Sequence, residues 1–80
     1  MKMISRLFSN QAISVRDGQA RALKGKVTNK LLNDVASLCR QHEIVECEIW
    51  IDNSGMLSFS HEIPEELYQR FRNTISINMH

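Results

Sequence analysis

The sequence predicts an α+β domain of two layers, in which a four-stranded antiparallel sheet carries two helices on one face in the order ββαββα. The main observation is an internal ββα repeat, because a shift of about 36 residues superposes Ile13 on Ile49 and Val15 on Ile51. In both halves, alternating polarity is followed by apolar residues at helical spacing. A right-handed crossover then places strands one and three at the centre of the sheet and strands two and four at its edges.

The length and composition indicate one small folded domain. A chain of 80 residues has room for a single core, and 42% hydrophobic with 24% charged residues is the balance of an ordinary globular protein. We expect residues 11–75 to form this domain, residues 1–10 to form a short helix or a flexible segment, and residues 76–80 to form a tail. The net charge of +1 argues against a strongly electrostatic partner such as duplex DNA.

The first two strands form a predicted hairpin. Residues Ala12–Asp17 alternate in polarity, so Ile13 and Val15 face the core. The dipeptide Asp17-Gly18 favours a two-residue turn, because both residue types tolerate a positive φ angle. The second strand is predicted to cover Gln19–Lys24.

The first helix is predicted to begin after Thr28 and to end near His42. The Thr28 hydroxyl can accept a backbone N–H as an N-cap. Arg40 suits the last turn, where a positive charge meets the negative end of the helix dipole. The apolar face of this helix consists of Leu31, Val35, Leu38 and Cys39.

The third strand, Val45–Ile51, has the clearest alternation in the chain. Its predicted inner residues are Val45, Cys47, Ile49 and Ile51, and its outer residues are Glu46, Glu48 and Trp50. A polar turn at residues 52–55 leads to a fourth strand, in which Leu57 and Phe59 face inward.

The second helix is predicted to begin at Pro64. Proline suits a first helical position, because the N–H that it lacks has no partner there. Glu65 and Glu66 suit the first turn, where negative charge is favourable. Leu67 and Phe71 form the predicted buried stripe of this helix.

Several motifs relate the chain to a known family. They are Val15-Arg16-Asp17-Gly18-Gln19, Lys24-Gly25-Lys26-Val27, Leu57-Ser58-Phe59-Ser60, and Glu62-Ile63-Pro64 continuing to Gln69-Arg70-Phe71-Arg72-Asn73. With these motifs, the stretch from Val15 to Asn73 resembles a bacterial family catalogued as domain of unknown function 3634. The resemblance implies a shared fold unit and no assigned reaction. Members look like short proteins with an N-terminal membrane helix, from which this chain departs. Residues 1–9 are too short and too polar for a signal peptide or a membrane span, so we expect a cytoplasmic protein.

The cysteines and histidines do not predict a metal site. Cys39, His42 and Cys47 are candidate ligands, but zinc normally takes four. The nearest fourth residue, His61, belongs to a distant turn. We therefore expect two reduced core thiols and neither a metal nor a cofactor.

The residues that could act in catalysis do not form a recognisable set. Cys47 points into the predicted core, and Cys39 lies near a helix C-terminus, where a thiolate is disfavoured. Glu46 and Glu48 share a strand face that flanks no predicted pocket, so we expect them to form a solvated surface. The expectation is a protein that is not an enzyme and has no catalytic residues.

The predicted open face of the sheet is unusually apolar. It combines small side chains with two large ones, and its members are Ala12, Ser14, Ala20, Ala22, Trp50 and Met56. Apolar patches on a surface mark contact sites. The candidate interaction surface therefore consists of Trp50, Met56, Ala20 and Ala22. We expect Trp50 to be covered, either by a second copy of the domain or by Leu7 and Phe8 of the N-terminal segment.

An alternative site is a basic patch at the end of the second helix. Its candidate anion-binding residues are Gln69, Arg70, Arg72 and Asn73, joined by Lys24 and Lys26. Arginines in a last turn also occur as partners of the helix dipole alone. Trp50 is the one aromatic residue on the predicted open face, whereas sheets that bind single strands display several. The leading hypothesis is therefore a protein-interaction or self-assembly module with a protein partner or a homodimer, and the alternative is a weak RNA or anion binder.

Overall fold

The computed structural model describes residues 9–52 and 54–78. Along them lie β1 (Ser9–Arg16), β2 (Gln19–Lys24), α1 (Asn29–Gln41), β3 (Glu46–Asp52), β4 (Leu57–Phe59), a 3₁₀ turn (Glu65–Leu67) and α2 (Tyr68–Asn78). The prediction of a four-stranded antiparallel sheet with two helices is confirmed. Residues 1–8, for which a short helix or a flexible segment is predicted, lie outside the described residues.

The sheet has the strand order β2-β1-β3-β4, and each neighbouring pair is antiparallel. β1 and β3 lie at its centre, as the crossover rule predicts. Ile13 lies opposite Ile49, and Val15 lies opposite Cys47. Opposite residues of an antiparallel pair point to the same face, so these four buried side chains share the core face of the sheet.

Helix α1 is closed at both ends by local hydrogen bonds. At its start, Thr28 Oγ1 accepts a backbone amide of the first turn at 3.2 Å, which confirms the predicted N-cap. At its end, the Ile44 amide donates to the Cys39 carbonyl at 2.8 Å. Glu43 has a positive φ of 58°, and its amide donates to the Arg40 carbonyl at 3.3 Å. These two bonds form a Schellman motif, which sets the path of the chain from α1 into β3.

The core is one cluster to which the sheet and both helices contribute. Its strand and helix members are Ile13, Val15, Cys47, Ile49, Ile51, Phe59, Leu31, Val35, Leu38, Cys39, Phe71 and Ile75. The apolar face predicted for α1 is therefore confirmed. The Phe59 ring stacks on Tyr68 with 4.4 Å between ring centroids, and its centroid lies 5.9 Å from that of Phe71. These ring contacts attach α2 to the edge strand β4.

Ala20 and Ala22 lie on the face of the sheet opposite to the one predicted. The register of the first hairpin places Ala20 opposite Val15. It places Ala22 opposite Ile13. Both alanines therefore point to the core face, where Ala20 packs against the core cluster and Ala22 is exposed at the edge of the sheet. The prediction that they line the open face beside Trp50 is wrong, because the hairpin register pairs them with inward-facing residues.

Two apolar residues of the predicted strands, of which Val45 is predicted to face inward, are exposed. Leu23, which the repeat matches to Phe59, is 52% exposed, because the register shifts there and leaves Leu23 with no residue opposite it. Val45 is 62% exposed, because β3 begins only at the next residue. The two halves share the order of their elements and differ in burial at Leu23, so the internal repeat stays a prediction.

The second helix begins later than predicted. Pro64 has an extended backbone, with φ −64° and ψ 144°, and precedes the 3₁₀ turn at Glu65–Leu67. The α-helical part then starts at Tyr68. A 3₁₀ turn is frequent at the start of an α-helix, and proline fits at its entry because it needs no hydrogen-bond partner for an N–H.

We expect Ile49→Ala to lower the free energy of unfolding by about 2 to 5 kcal/mol, because Ile49 is fully buried between β1 and β4 and its truncation leaves a cavity. Leu23→Ala removes an apolar side chain of similar size from an exposed position, so we expect a loss of about 0.5 kcal/mol or less. Urea unfolding followed by Trp50 fluorescence measures both. Equal losses in the two variants would show that the core is assigned incorrectly.

Candidate functional site

A largely apolar groove of about 400 Å³ lies where the β3–β4 turn approaches α2. We call it the β4 groove, and its lining residues are Ile51, Gly55, Met56, Leu57, Arg72, Ile75 and Ser76. Among the described residues of this lining, Arg72 is the one with a charged side chain. The volume lies within the range of pockets that accept small molecules or the side chains of a partner.

One carboxylate holds the turn that forms a wall of the β4 groove. Asp52 Oδ1 accepts three hydrogen bonds, from the Ser54 hydroxyl at 2.8 Å and from the Ser54 and Met56 amides at 2.9 Å each. Such a bond to the backbone two residues on is an Asx turn. These bonds, first the one from the Ser54 hydroxyl and next the one from the Met56 amide, lower the pKa of Asp52 because they stabilise the charged carboxylate.

The Asp52 turn presents Met56 to the surrounding solvent. Its side chain is 69% exposed at the rim of the β4 groove. Methionine is flexible and polarizable, so it adapts its shape to different apolar partners. An exposed methionine beside an apolar cavity therefore favours a contact role over a role in the core.

Arg72 forms the charged side of the β4 groove. Its guanidinium carbon lies 5.9 Å from the Phe59 ring centroid and 6.0 Å from that of Tyr68, within reach of a cation–π interaction. Among the described residues, its side chain has no hydrogen bond or ion pair. The planar guanidinium is therefore positioned by rings while its N–H donors remain available, and carboxylates fit such donors in pairs.

The candidate interaction residues do not lie together. Trp50 lies opposite Ser58 and Ala12, on the sheet face away from the core cluster, and is only 8% exposed in a single copy of the chain. Its burial therefore needs no second copy. Leu7 and Phe8, the other predicted cover, lie outside the described residues. Met56 is in the β4 groove, whereas Ala20 and Ala22 lie on β2 at the other edge of the sheet.

The candidate anion-binding residues are also divided. Four of them lie on α2, namely Gln69, Arg70, Arg72 and Asn73. Within this group, Gln69 Nε2 donates to Asn73 Oδ1 at 2.9 Å. Lys24 ends β2 and Lys26 follows it, at the edge of the sheet opposite to β4. Three strand spacings, about 14 Å, separate β2 from β4. The structure therefore brings the arginines together on one helix and places the lysines elsewhere.

The predicted acidic strand face does border a cavity. A depression of about 230 Å³, which we call the β3 hollow, is lined by residues that include Glu46, Cys47, Glu48, Ser60, His61 and Glu62. The prediction that Glu46 and Glu48 flank no pocket is wrong. β4 pairs only with residues 49–51, so on that side the first residues of β3 have no neighbouring strand. His61 Nε2 lies 3.7 Å from a Glu62 carboxylate oxygen, and both side chains are accessible to solvent.

The two cysteines meet inside the core. Both are free and buried, as predicted, and their Sγ atoms are 3.7 Å apart. The contact with Cys47 lowers the pKa of Cys39, because the Cys47 thiol can donate to a Cys39 thiolate. The same contact, together with burial, raises the pKa of Cys47. Within residues 9–52 and 54–78, no cluster of His, Cys, Asp and Glu side chains is arranged to hold a metal ion.

Comparison with known proteins assigns a family. A family described as "Protein of unknown function (DUF3634)" matches residues 3–79. The chain belongs to this family. No curated protein and no solved structure matches it. The helices that the structure describes in this DUF3634 protein include none that is long and apolar enough to cross a membrane.

The β4 groove joins residues that the sequence divides between two hypotheses. Met56 belongs to the predicted interaction surface and Arg72 to the predicted anion site, and in this DUF3634 protein they line one cavity. Leu57, Ile75 and Ser76 of the same lining are not among the predicted site residues. In the sequence, an apolar methionine directly after a polar turn is the one local sign of the groove. No local sequence pattern indicates that α2 approaches this turn.

We expect Asp52 to titrate below its ordinary pKa of 3.8 in the folded protein, because its carboxylate accepts bonds from Ser54 and Met56. Since the folded pKa is lowered, the stabilisation from this charge is present above pH 3.8 and is lost as the pH falls through the lower folded value. NMR titration of the Asp52 carboxyl carbon measures the midpoint, and the Gly55 and Met56 amide shifts should follow it. A midpoint at or above 3.8 would show that the carboxylate does not hold the turn.

Proposed function

We propose that this DUF3634 protein is a non-enzymatic protein-interaction module whose docking surface is the β4 groove. The observation that carries the proposal is that exposed Met56 and the available guanidinium of Arg72 border the same apolar cavity. Such a combination recognises an apolar group and a neighbouring negative charge together.

The chemistry of the partner follows from the groove. The floor of the groove is apolar and includes Ile51 and Ile75. A volume of about 400 Å³ has room for a large apolar side chain of a partner. The lining residues that the structure describes include no carboxylate, so Arg72 gives this part of the groove a positive charge. We therefore expect the partner to be a protein segment that carries an Asp or Glu close to a large apolar residue.

The position of β4 suits an extended partner. β4 is an edge strand of the sheet, and the described residues include no strand on its outer side. An extended peptide can add to such an edge through backbone hydrogen bonds, while its alternate side chains enter neighbouring pockets. Leu57, which lies in β4 and also lines the groove, connects this edge to the cavity.

A selection from a random peptide library on the immobilised chain tests the proposal. We expect enriched peptides to combine a large apolar residue with a nearby Asp or Glu. Met56→Glu and Arg72→Gln should each weaken binding of a selected peptide by about tenfold or more, as loss of an interface anchor does. Fluorescence anisotropy of a labelled peptide measures the affinities.

Matched controls separate the groove from the general surface. Val45→Glu adds the same charge at another exposed apolar position, and Arg70→Gln removes the same charge from the same helix without touching the groove lining. Both should leave affinity for the peptide within about twofold of the wild type. If the controls weaken binding as much as Met56→Glu and Arg72→Gln, the β4 groove is not the docking surface. Sedimentation at several concentrations shows whether a second copy occupies the groove, since Met56→Glu would then abolish a dimer.

A second candidate function is binding of RNA or another polyanion by α2. It is favoured by one observation, that neither Arg70 nor Arg72 has an ion pair among the described residues. We expect retention on immobilised poly(U) to fall steeply with salt and to vanish in Arg70→Glu combined with Arg72→Glu. Met56→Glu should leave this retention largely unchanged. A wild-type chain that poly(U) does not retain at low salt would exclude this function.

A further inference from the structure

The two cysteines of the chain lie within reach of each other. The sequence contains two cysteines, and their Sγ atoms are 3.7 Å apart in the core. A disulfide has an S–S distance of about 2.05 Å, so each sulfur has to move by less than about 1 Å to form one. This approach is small compared with the backbone changes that most cysteine pairs would require.

The backbone holds both cysteines in place. The carbonyl of Cys39 accepts the Ile44 amide in the Schellman motif that ends α1. Cys47 is held in the central ladder, opposite Val15. The contact between the thiols is therefore a property of the folded chain, set by a helix end and a central strand, and not a chance approach of mobile segments.

The β3 hollow reaches one of the two cysteines. Cys47 contributes to its lining, whereas Cys39 does not. The hollow has a volume of about 230 Å³. A water molecule occupies about 30 Å³ in the liquid, so hydrogen peroxide, which is little larger than water, fits inside. A bulky aromatic disulfide reagent does not reach a cysteine that is nearly fully buried.

We propose that Cys39 and Cys47 form a peroxide-sensitive pair, which closes to an intramolecular disulfide in the folded protein with Cys47 reacting first. Cys47 Sγ bonds to one peroxide oxygen, the O–O bond breaks, and the thiol proton leaves with the other oxygen as water. Cys39 Sγ then bonds to Cys47 Sγ, the S–O bond of the sulfenic acid breaks, and the hydroxyl leaves with the Cys39 proton as a second water. In total the thiols lose two electrons and two protons, which reduce one peroxide to two waters.

The electrostatics of the pair favour the second step and slow the first. The Cys47 contact lowers the pKa of Cys39, which favours a thiolate at the residue that attacks in the second step. The pKa of Cys47 is raised, first by the contact with Cys39 and by burial, and further by the nearby carboxylates of Glu62 and Glu48. The first step should therefore be slow compared with that of a dedicated peroxide-sensing thiol.

Digestion with trypsin gives a direct test on the wild-type protein. Cleavage after Lys30, Arg40 and Arg70 places the two cysteines in different peptides, which stay linked only by a disulfide. After treatment of the native protein with hydrogen peroxide, we expect the linked peptides to appear and free thiols to fall from two per chain to none, with no covalent dimer. Quantification by alkylation before and after reduction is unaffected by oxidation of methionine. Thiols that persist, or a disulfide between two chains, would overturn the proposal.

Single variants test the order of the two steps. In Cys39→Ala, a cyclic dione reagent should trap a sulfenic acid on Cys47 after peroxide treatment. In Cys47→Ala, we expect no trapping on Cys39, because Cys39 is fully buried and is not among the residues that line the hollow. Trapping on Cys39 alone would overturn Cys47 as the first thiol. The linked wild-type peptides remain a measure of the pair even where a variant fails to fold.

Two further measurements decide whether the folded state reacts. Peroxide should close the pair in native protein while an aromatic disulfide reagent leaves both thiols unmodified, and both reagents should react after unfolding in urea. Ile75→Val removes one buried methylene from α2, which contains neither cysteine, and lowers stability. We expect the same closure rate in this variant. A rate that rises with the loss of stability would show that oxidation occurs in the unfolded chain and would overturn the proposal.

Discussion

The pairing of β1 with β3 is the constraint on which the rest of the structure depends. Ile13 lies opposite Ile49 and Val15 lies opposite Cys47, and both outer strands take their register from this central pair. Because side chains alternate between faces, a slip of one residue would turn every inward side chain outward. Such a slip would remove the sheet side of the core cluster at once, so the packing of both helices depends on this register.

The same ladder organises the face that points away from the core cluster. Trp50 lies opposite Ala12, and the small alanine leaves room beside the indole. Both residues are buried in a single copy of the chain, as is Ser14. Alternating polarity predicts a strand with one buried face and one solvent-exposed face, whereas β3 has buried residues on both faces. Large apolar side chains are exposed elsewhere, among them Met56 at the β4 edge.

Local hydrogen-bond motifs at the two ends of β3 position both candidate sites. At its start, the Schellman motif of α1 directs the chain so that Cys47 meets Cys39. At its end, the Asx turn of Asp52 directs Met56 into the rim of the β4 groove. Neither motif is long, but each is anchored to a central strand. In this way, hydrogen bonds between neighbouring residues fix the positions of Cys47 and Met56 relative to distant parts of the chain.

The sequence by itself determined the elements of this DUF3634 protein, because each follows from local chemistry. Alternation placed Ile13 and Ile49 in strands, helical spacing placed Val35 in the core, and the Thr28 hydroxyl marked the start of α1.

Registers and approaches between distant elements were decided only by the tertiary structure. The local pattern around Ala20 and Ala22 is the same for either face of the sheet, and their pairing with β1 places them on the core face. Likewise, Met56 and Arg72 lie 16 positions apart in the sequence, and they share a groove because Phe59 stacks on Tyr68 and so holds α2 against β4. Such contacts depend on how helices and strands pack against one another. The local pattern of residues within one helix or strand does not determine which distant helix or strand it contacts.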